Sequence, residues 1–178
     1  MKFLQYLFIS LSHKILKILP YRLIRLLSVP IGTLYFLLTF RSSIKLFKRR
    51  KIFEKLKINY KPLIVKINYT RYWLETLWLT NKNFSKHITP HVEIENQEYV
   101  DKLKKQYPGL IFALPHLGNW EFAIPIGNSI KLNLLAVAEP LSNSYVLNWF
   151  KSLRESLGIE IIIGGKGQNT FDLLANKL

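Results

Sequence analysis

The chain contains no cysteine among its 178 residues. Disulfide bridges, cysteine-ligated zinc sites and thiol catalysis are therefore excluded. Acidic residues are also scarce, since 11 Asp and Glu stand against 26 Lys and Arg and give a formal net charge of +15. Such a charge attracts anionic partners before any specific contact forms, and both nucleic acid and anionic lipid qualify.

Long uninterrupted apolar runs are missing as well. The apolar run 29–40 has 12 residues, contains a proline and is bracketed by arginines, whereas a spanning helix needs ~20 apolar residues. His13, Lys14 and Lys17 interrupt the apolar start of the chain, which argues against a cleaved signal peptide. We therefore expect 29–40 to dip into a membrane interface rather than to cross the bilayer.

The start of the chain has the pattern of an amphipathic helix with a basic polar face. Ser10, Lys14 and Lys17 gather on one side, and the apolar residues at helical spacing are Leu4, Leu7, Phe8, Leu11, Ile15, Ile18 and Leu19. The segment 41–66 then carries ten basic residues and one acidic residue, Glu54. Anionic headgroups attract such a run at ~1 kcal/mol per charge, and no groove-reading module accompanies it. We predict that residues 1–66 associate with anionic membrane lipids and not with nucleic acid, the alternative being an ordinary core-facing helix pair.

The remaining segment, 67–178, shows the alternation of strand and helix patterns that is typical of an α/β domain. Apolar runs at 110–115, 132–138 and 159–164 predict strands, and the segments between them have helical character. The clearest of these helices is 143–157, with an Asn or Ser cap before it and Gly158 behind it. We predict a mostly parallel sheet with flanking helices, preceded by the helical membrane-associated segment. Two further helices are predicted at 68–80 and 97–106.

Titratable residues collect where the first two predicted strands end. His116 follows the first strand, Glu139 follows the second, and a turn at 117–119 would let Glu121 fold back toward the histidine. A neutral imidazole can take a proton from an alcohol while a carboxylate holds the ring in place. No GxSxG motif is present, so direct attack of a hydroxyl on an activated acyl donor is favoured over a covalent acyl-enzyme. His87 and His91 are separated by Pro90, and no metal site is expected there.

The segment "PHLGNWE" resembles the His-then-four-residues-then-acid motif of the bacterial lipid A late acyltransferases and of the phosphatidylinositol mannoside acyltransferases. The likeness extends to "NYTRYWLE", "VEIENQEYVDKL", "AEPLSN" and "RESLG", and covers about two thirds of the chain. It implies that His116 is the general base and that Glu121 is the acid of the motif. It further implies that Glu139 orients the histidine and that Arg154 and Asn119 serve substrate binding, Arg154 near the anionic donor or the reacting centre and Asn119 by shaping the site.

The resemblance also implies the setting of the reaction. An acyl chain would pass from acyl carrier protein or coenzyme A to a hydroxyl of a glycolipid, without a metal or cofactor, at the cytoplasmic face of the inner membrane. Members of this family are longer, and we expect this chain to be truncated at its C-terminus. The competing hypothesis is a non-catalytic basic module that binds membranes or nucleic acid and in which His116 is dispensable.

Overall fold

The computed structural model describes residues 1–40, 55, 57, 61–115, 117–165 and 169–177. Their helices are α1 (Lys2–Leu16), α2 (Tyr21–Leu38), α3 (Pro62–Trp78), α4 (Phe84–His87), α5 (Gln97–Gln106), α6 (Ala123–Ser129), α7 (Ser144–Ser156) and α8 (Thr170–Ala175). The strands are β1 (Leu134–Ala138) and β2 (Ile159–Ile163), and two 3-10 turns lie at Thr89–His91 and Trp120–Phe122. Contacts divide the chain into two compact units, one of residues 12–79 and one of residues 1–11 and 80–178.

The second unit is organised around the two strands. β1 and β2 pair in parallel, with Leu134 opposite Ile159 and Ala138 opposite Ile163, and α7 connects them along the chain. Apolar side chains from α6 and β2 form a buried cluster in this unit, namely Ile124, Ile159 and Ile161. The predicted strand–helix–strand unit is confirmed for this part of the chain.

The strand predicted at 110–115 is wrong. The structure assigns no strand there, and Ile111, Phe112 and Leu114 are exposed. A strand requires a neighbour that accepts and donates backbone hydrogen bonds, and the described residues offer none to this segment. The described part of the chain is therefore mostly helical with a two-stranded parallel sheet, rather than the larger sheet that the sequence predicts.

The two ends of α7 are closed as its sequence predicts. The Asn143 side chain accepts hydrogen bonds from the backbone N–H groups of Tyr145 and Val146, which satisfies two of the donors left over at a helix N-terminus. Gly158 follows the helix with φ +88°, a conformation that glycine adopts without strain. The Asn128 side chain donates to the carbonyl of Leu157 at the same end.

Asn143 also ties α7 to the start of the chain. Its side-chain nitrogen donates to the carbonyl of Lys2 at 2.9 Å and to the Gln5 side chain at 3.0 Å. The Lys2 ammonium donates in turn to the carbonyl of Ser142 at 2.7 Å. Residues 2–5 thus belong to the same compact unit as β1 and α7, although about 140 residues of sequence separate them.

The unit of residues 12–79 is built on the packing of α2 against α3. Helix α2 continues through Pro30 and includes Arg25, so the apolar run 29–40 is not the separate short segment that the sequence predicts. By length and composition α2 is the one helix among the described residues that could cross a membrane. Core helices of soluble proteins and signal sequences meet the same criteria.

Two predictions about the first 66 residues have different outcomes. The basic segment 41–66 lies for the most part outside the described residues. The boundary predicted at residue 66 falls within α3. It divides a membrane-associated segment from an acyltransferase domain by function, and that division stays a prediction. The helix predicted at 68–80 is confirmed and begins earlier, at Pro62, where a proline is well tolerated in the first helical turn.

Gly32 allows α2 and α3 to approach closely. A Cβ atom built on Gly32 would stand 2.6 Å from the Cα atom of Ile67, and backbone atoms cannot give way as a flexible side chain can. Position 32 is therefore a glycine because the backbone of α3 leaves no room for a Cβ atom.

We expect Gly32→Ala to destabilise the protein by ~1–3 kcal/mol through overpacking, even though alanine favours a helix over glycine by ~1 kcal/mol. Thermal unfolding followed by circular dichroism measures the effect. Gly165→Ala is the control, because among the described residues, its chain neighbours apart, no atom lies within 4 Å of a Cβ atom built on Gly165. An unchanged melting temperature for Gly32→Ala would show that the two helices can separate without loss.

Candidate active site

The turn that carries the motif runs through residues 117–122. The Leu117 N–H donates to the carbonyl of Pro115 at 2.8 Å, and Gly118 adopts φ +61°. The Asn119 side chain then accepts a hydrogen bond from the Glu121 N–H at 3.2 Å. These contacts turn the chain into the 3-10 turn Trp120–Phe122, in agreement with the turn predicted at 117–119.

Glu121 is the centre of the described site. Its side chain is 2% exposed and meets Arg154 of α7 through two hydrogen bonds. The Arg154 Nε donates to Oε2 at 3.1 Å and Nη2 donates to Oε1 at 2.5 Å. A buried carboxylate requires a paired charge, and the planar guanidinium fits a carboxylate in this two-bonded geometry.

The pair is supported by aromatic side chains. The Arg154 guanidinium lies over the Phe150 ring at 5.4 Å from its centroid, one helical turn earlier on α7. Phe122 packs edge-on against Phe84 of α4, with 5.4 Å between the ring centroids. The turn after residue 116 is thus fixed to α7 by charge and to α4 by packing.

The predicted site residues are only partly brought together. Glu121, Asn119 and Arg154 form one connected group, whereas Glu139 is exposed directly after β1. Neither a hydrogen bond nor an ion pair joins Glu139 to that group within the described chain. His116 lies outside the described residues, so its role as general base stays a prediction.

Sequence reasoning missed the pairing of Glu121 with Arg154. It placed Arg154 near the anionic donor or the reacting centre without naming a partner, and the structure shows that Nε and Nη2 donate to Glu121. Direct substrate binding by Arg154 and Asn119 stays a prediction. One signal in the sequence could have suggested the pair: Arg154 follows Phe150 by four residues on a helix whose apolar face is buried, and such a position favours a partner inside the protein.

Comparison with known proteins identifies the family of this chain. The family model described as bacterial lipid A biosynthesis acyltransferase matches residues 2–175. Among curated proteins, a phosphatidylinositol mannoside acyltransferase of Mycobacterium tuberculosis is 30% identical over 114 residues, and one of Mycolicibacterium smegmatis is 29% identical over 115 residues. Each alignment covers 62% of this chain and 36% of the relative, and no solved structure gives a significant match.

The family match takes in both compact units, because it begins at residue 2 and ends at residue 175. The curated relatives carry the name of the mannoside branch. The resemblance drawn from "PHLGNWE" is therefore confirmed, and the chain belongs to the bacterial lipid A biosynthesis acyltransferase family.

Proposed function

We propose that the protein is a membrane-associated acyltransferase that moves a fatty acyl chain from acyl carrier protein or coenzyme A to a hydroxyl of a glycolipid. The acceptor is of the lipid A precursor or phosphatidylinositol mannoside type, which are the two chemistries named by the matched family and by the relatives. The family match favours this enzyme over a non-catalytic basic module.

The observation that supports the proposal best is the buried pair of Glu121 and Arg154. The acid of the motif is bound by two guanidinium nitrogens and therefore acts by positioning the turn that follows residue 116. A catalytic side chain needs a fixed backbone, because small displacements of reacting groups lower the rate strongly. Glu139, at the end of β1, remains available for the histidine, in keeping with the role that the resemblance gives it.

The proposed step is a direct transfer. His116 takes the proton of the acceptor hydroxyl while the hydroxyl oxygen bonds to the thioester carbonyl carbon. The carbon–sulfur bond then breaks, and the proton passes from His116 to the leaving sulfur. The products are an ester on the glycolipid and a free thiol on the carrier.

The proposed location is the cytoplasmic face of the inner membrane. Large apolar side chains of α1 are exposed in the described chain, namely Leu4, Leu7, Phe8, Leu11 and Ile15. Exposed apolar residues along a helix with lysines on its polar side are typical of interfacial membrane binding. Both the lipid acceptor and an acyl chain would then be within reach of an enzyme held at that surface.

Acyl transfer is tested with the product of the complete gene. We expect mass spectrometry of a reaction containing acyl carrier protein thioester or acyl coenzyme A and a glycolipid acceptor to detect an acceptor heavier by one acyl chain. Both donors are run in parallel with both acceptor types, so that a positive reaction also identifies the substrates. Hydrolysis of the thioester without any acylated lipid would contradict the proposal.

Membrane attachment is predicted to survive high salt, because burial of apolar side chains persists when charges are screened. Ile18→Asn, which changes an exposed apolar residue just after α1, should weaken liposome binding at every salt concentration, whereas Lys14→Gln should weaken it only at low salt. Liposome sedimentation measures both. Complete release of the unchanged protein by salt would contradict the apolar contribution. Deleting residues 1–40 is a poorer test, since it removes the Lys2 and Gln5 partners of Asn143.

A further inference from the structure

A groove lies between the start of α1 and the segment that leads from β1 into α7. Its volume is about 360 Å³, which is within the range of ~300–1,000 Å³ found for small-molecule sites. All of its lining residues belong to the compact unit of residues 1–11 and 80–178. The apolar part of the lining consists of Phe8, Ile9, Leu141 and Val146. The groove therefore offers mainly apolar contacts.

The two walls of the groove are tied to each other. Asn143 and Lys2 join them through the hydrogen bonds described above. The ring of Tyr145 also packs against Phe3 and Tyr6 of α1, with 5.6 Å and 6.0 Å between the ring centroids. The groove is thus formed by contacts within the protein and does not need a ligand to open it.

Asn143 is a polar residue in the wall of the groove, yet its side chain is fully engaged. A side-chain amide has two N–H groups and two acceptor positions on its oxygen. The nitrogen donates to the carbonyl of Lys2 and to the Gln5 side chain, and the oxygen accepts from the N–H groups of Tyr145 and Val146. Asn143 therefore shapes the wall and favours an apolar occupant over a polar one.

The groove begins beside the carboxylate that the proposed reaction uses. Leu141 follows Glu139 by two residues, so the Cα atoms of the two lie at most ~7 Å apart. Glu139 is exposed at the end of β1. A thioester that reacts near Glu139 can therefore place the first carbons of its acyl chain beside Leu141.

The chain that needs such a groove is that of the donor. The chains of a glycolipid acceptor are already buried in the bilayer. The donor chain arrives on a carrier from the aqueous side, and each methylene group left in water costs free energy. An apolar groove next to the reacting carboxylate removes that cost during the transfer.

We propose that the groove between α1 and residues 141–146 binds the fatty acyl chain of the donor thioester, with the thioester at the Glu139 end. The proposal rests on the proposed acyl transfer and adds to it the place where the chain lies. Val146 and Ile9 would then contact the chain from opposite walls, and the size of these side chains would influence which chain lengths are transferred.

The first test measures binding of laurate and of hexanoate to the full chain by isothermal titration calorimetry, without membranes. Both ligands carry the same carboxylate, so the ratio of their dissociation constants reports the contribution of the longer chain. Val146→Trp fills the groove and Phe8→Ala removes part of its wall. We expect each to lower this ratio by ~10-fold, the effect of about two methylene groups that lose their apolar contacts. The matched controls Asn148→Trp and Phe171→Ala change exposed residues that do not line the groove, and they should leave the ratio unchanged.

A second measurement separates the donor chain from an acceptor chain. The product of the complete gene receives an equimolar mixture of donor thioesters of different chain length, and mass spectrometry gives the distribution of acyl chains on the product. Val146→Trp should shift this distribution toward shorter chains. An unchanged distribution together with a raised KM for the acceptor would assign the groove to the acceptor and overturn the proposal.

Equal ratios for laurate and hexanoate in Val146→Trp, Phe8→Ala, both controls and the unchanged chain would also overturn it. Laurate binding involves no turnover, so it separates the groove from the reaction. Loss of chain-dependent binding in the two groove variants, without acyl transfer by the unchanged protein, would contradict the proposed function and support the groove as a chain-binding site. If Val146→Trp fails to fold, Phe8→Ala decides, because the Phe8 side chain is 73% exposed.

Discussion

We expect His116→Ala to lower the rate of acyl transfer by ~10²–10⁴-fold, the contribution of a general base. The physical reason is that the acceptor hydroxyl must lose its proton as it attacks the thioester, and no other side chain is assigned to take it. The melting temperature should change little. The initial rate and the melting temperature are measured on the same preparation of the complete gene product.

Two further variants separate catalysis from packing. Glu139→Gln changes an exposed residue, so it should lower the rate without lowering stability. Added to His116→Ala it should have little further effect, because residues that act as one unit lose their effect together. If His116 instead has a structural role, stability and activity should fall together in His116→Ala. A stable His116→Ala variant with full activity would contradict the assignment of His116 as the general base.

Arg154→Leu is expected to destabilise the protein by ~3–5 kcal/mol, because it removes the guanidinium that pairs with the buried Glu121 carboxylate. Chemical denaturation at neutral pH measures the loss. Lys151→Leu is the matched control on the same helix, since it removes an exposed ion pair with Glu155 at 3.6 Å, and such pairs contribute ~0–1 kcal/mol.

Two companion variants separate the effect of the charge from the effect of the two-bonded geometry. The double variant Glu121→Leu with Arg154→Leu should recover much of the lost stability, because removing both charges leaves neither one uncompensated. Arg154→Lys keeps a charge and loses the two-bonded geometry, so the protein should fold while turnover falls. Equal losses of stability for Arg154→Leu and Lys151→Leu would show that Glu121 finds another partner.

Local signals in the sequence predicted local structure well. Helix α7 was predicted from its cap and its terminal glycine, both of which act within a few residues. Helix α5 (Gln97–Gln106) and the strands within 132–138 and 159–164 are likewise confirmed. The cap and the terminal glycine that close α7 lie directly beside it, whereas β1 and β2 also depend on their pairing with each other.

Features that depend on distant partners were predicted less well. The run 110–115 has the composition of a buried strand, yet pairing depends on a neighbour that its own residues do not specify. The pair of Glu121 and Arg154 joins residues 33 positions apart, and no spacing rule connects them. The sequence predicts a separate short apolar segment at 29–40, but α2 begins at Tyr21 and continues through Pro30 while packing against α3.

The tie between Asn143 and Lys2 has a consequence for biosynthesis. The two residues are 141 positions apart, and ribosomes add ~5–20 residues per second. Roughly 7 to 28 seconds therefore pass between synthesis of the two partners at that speed. During this interval the nascent α1 lacks its hydrogen bonds to Asn143, although its apolar side chains have already been synthesised. A membrane surface or a chaperone can therefore bind α1 before α7 does.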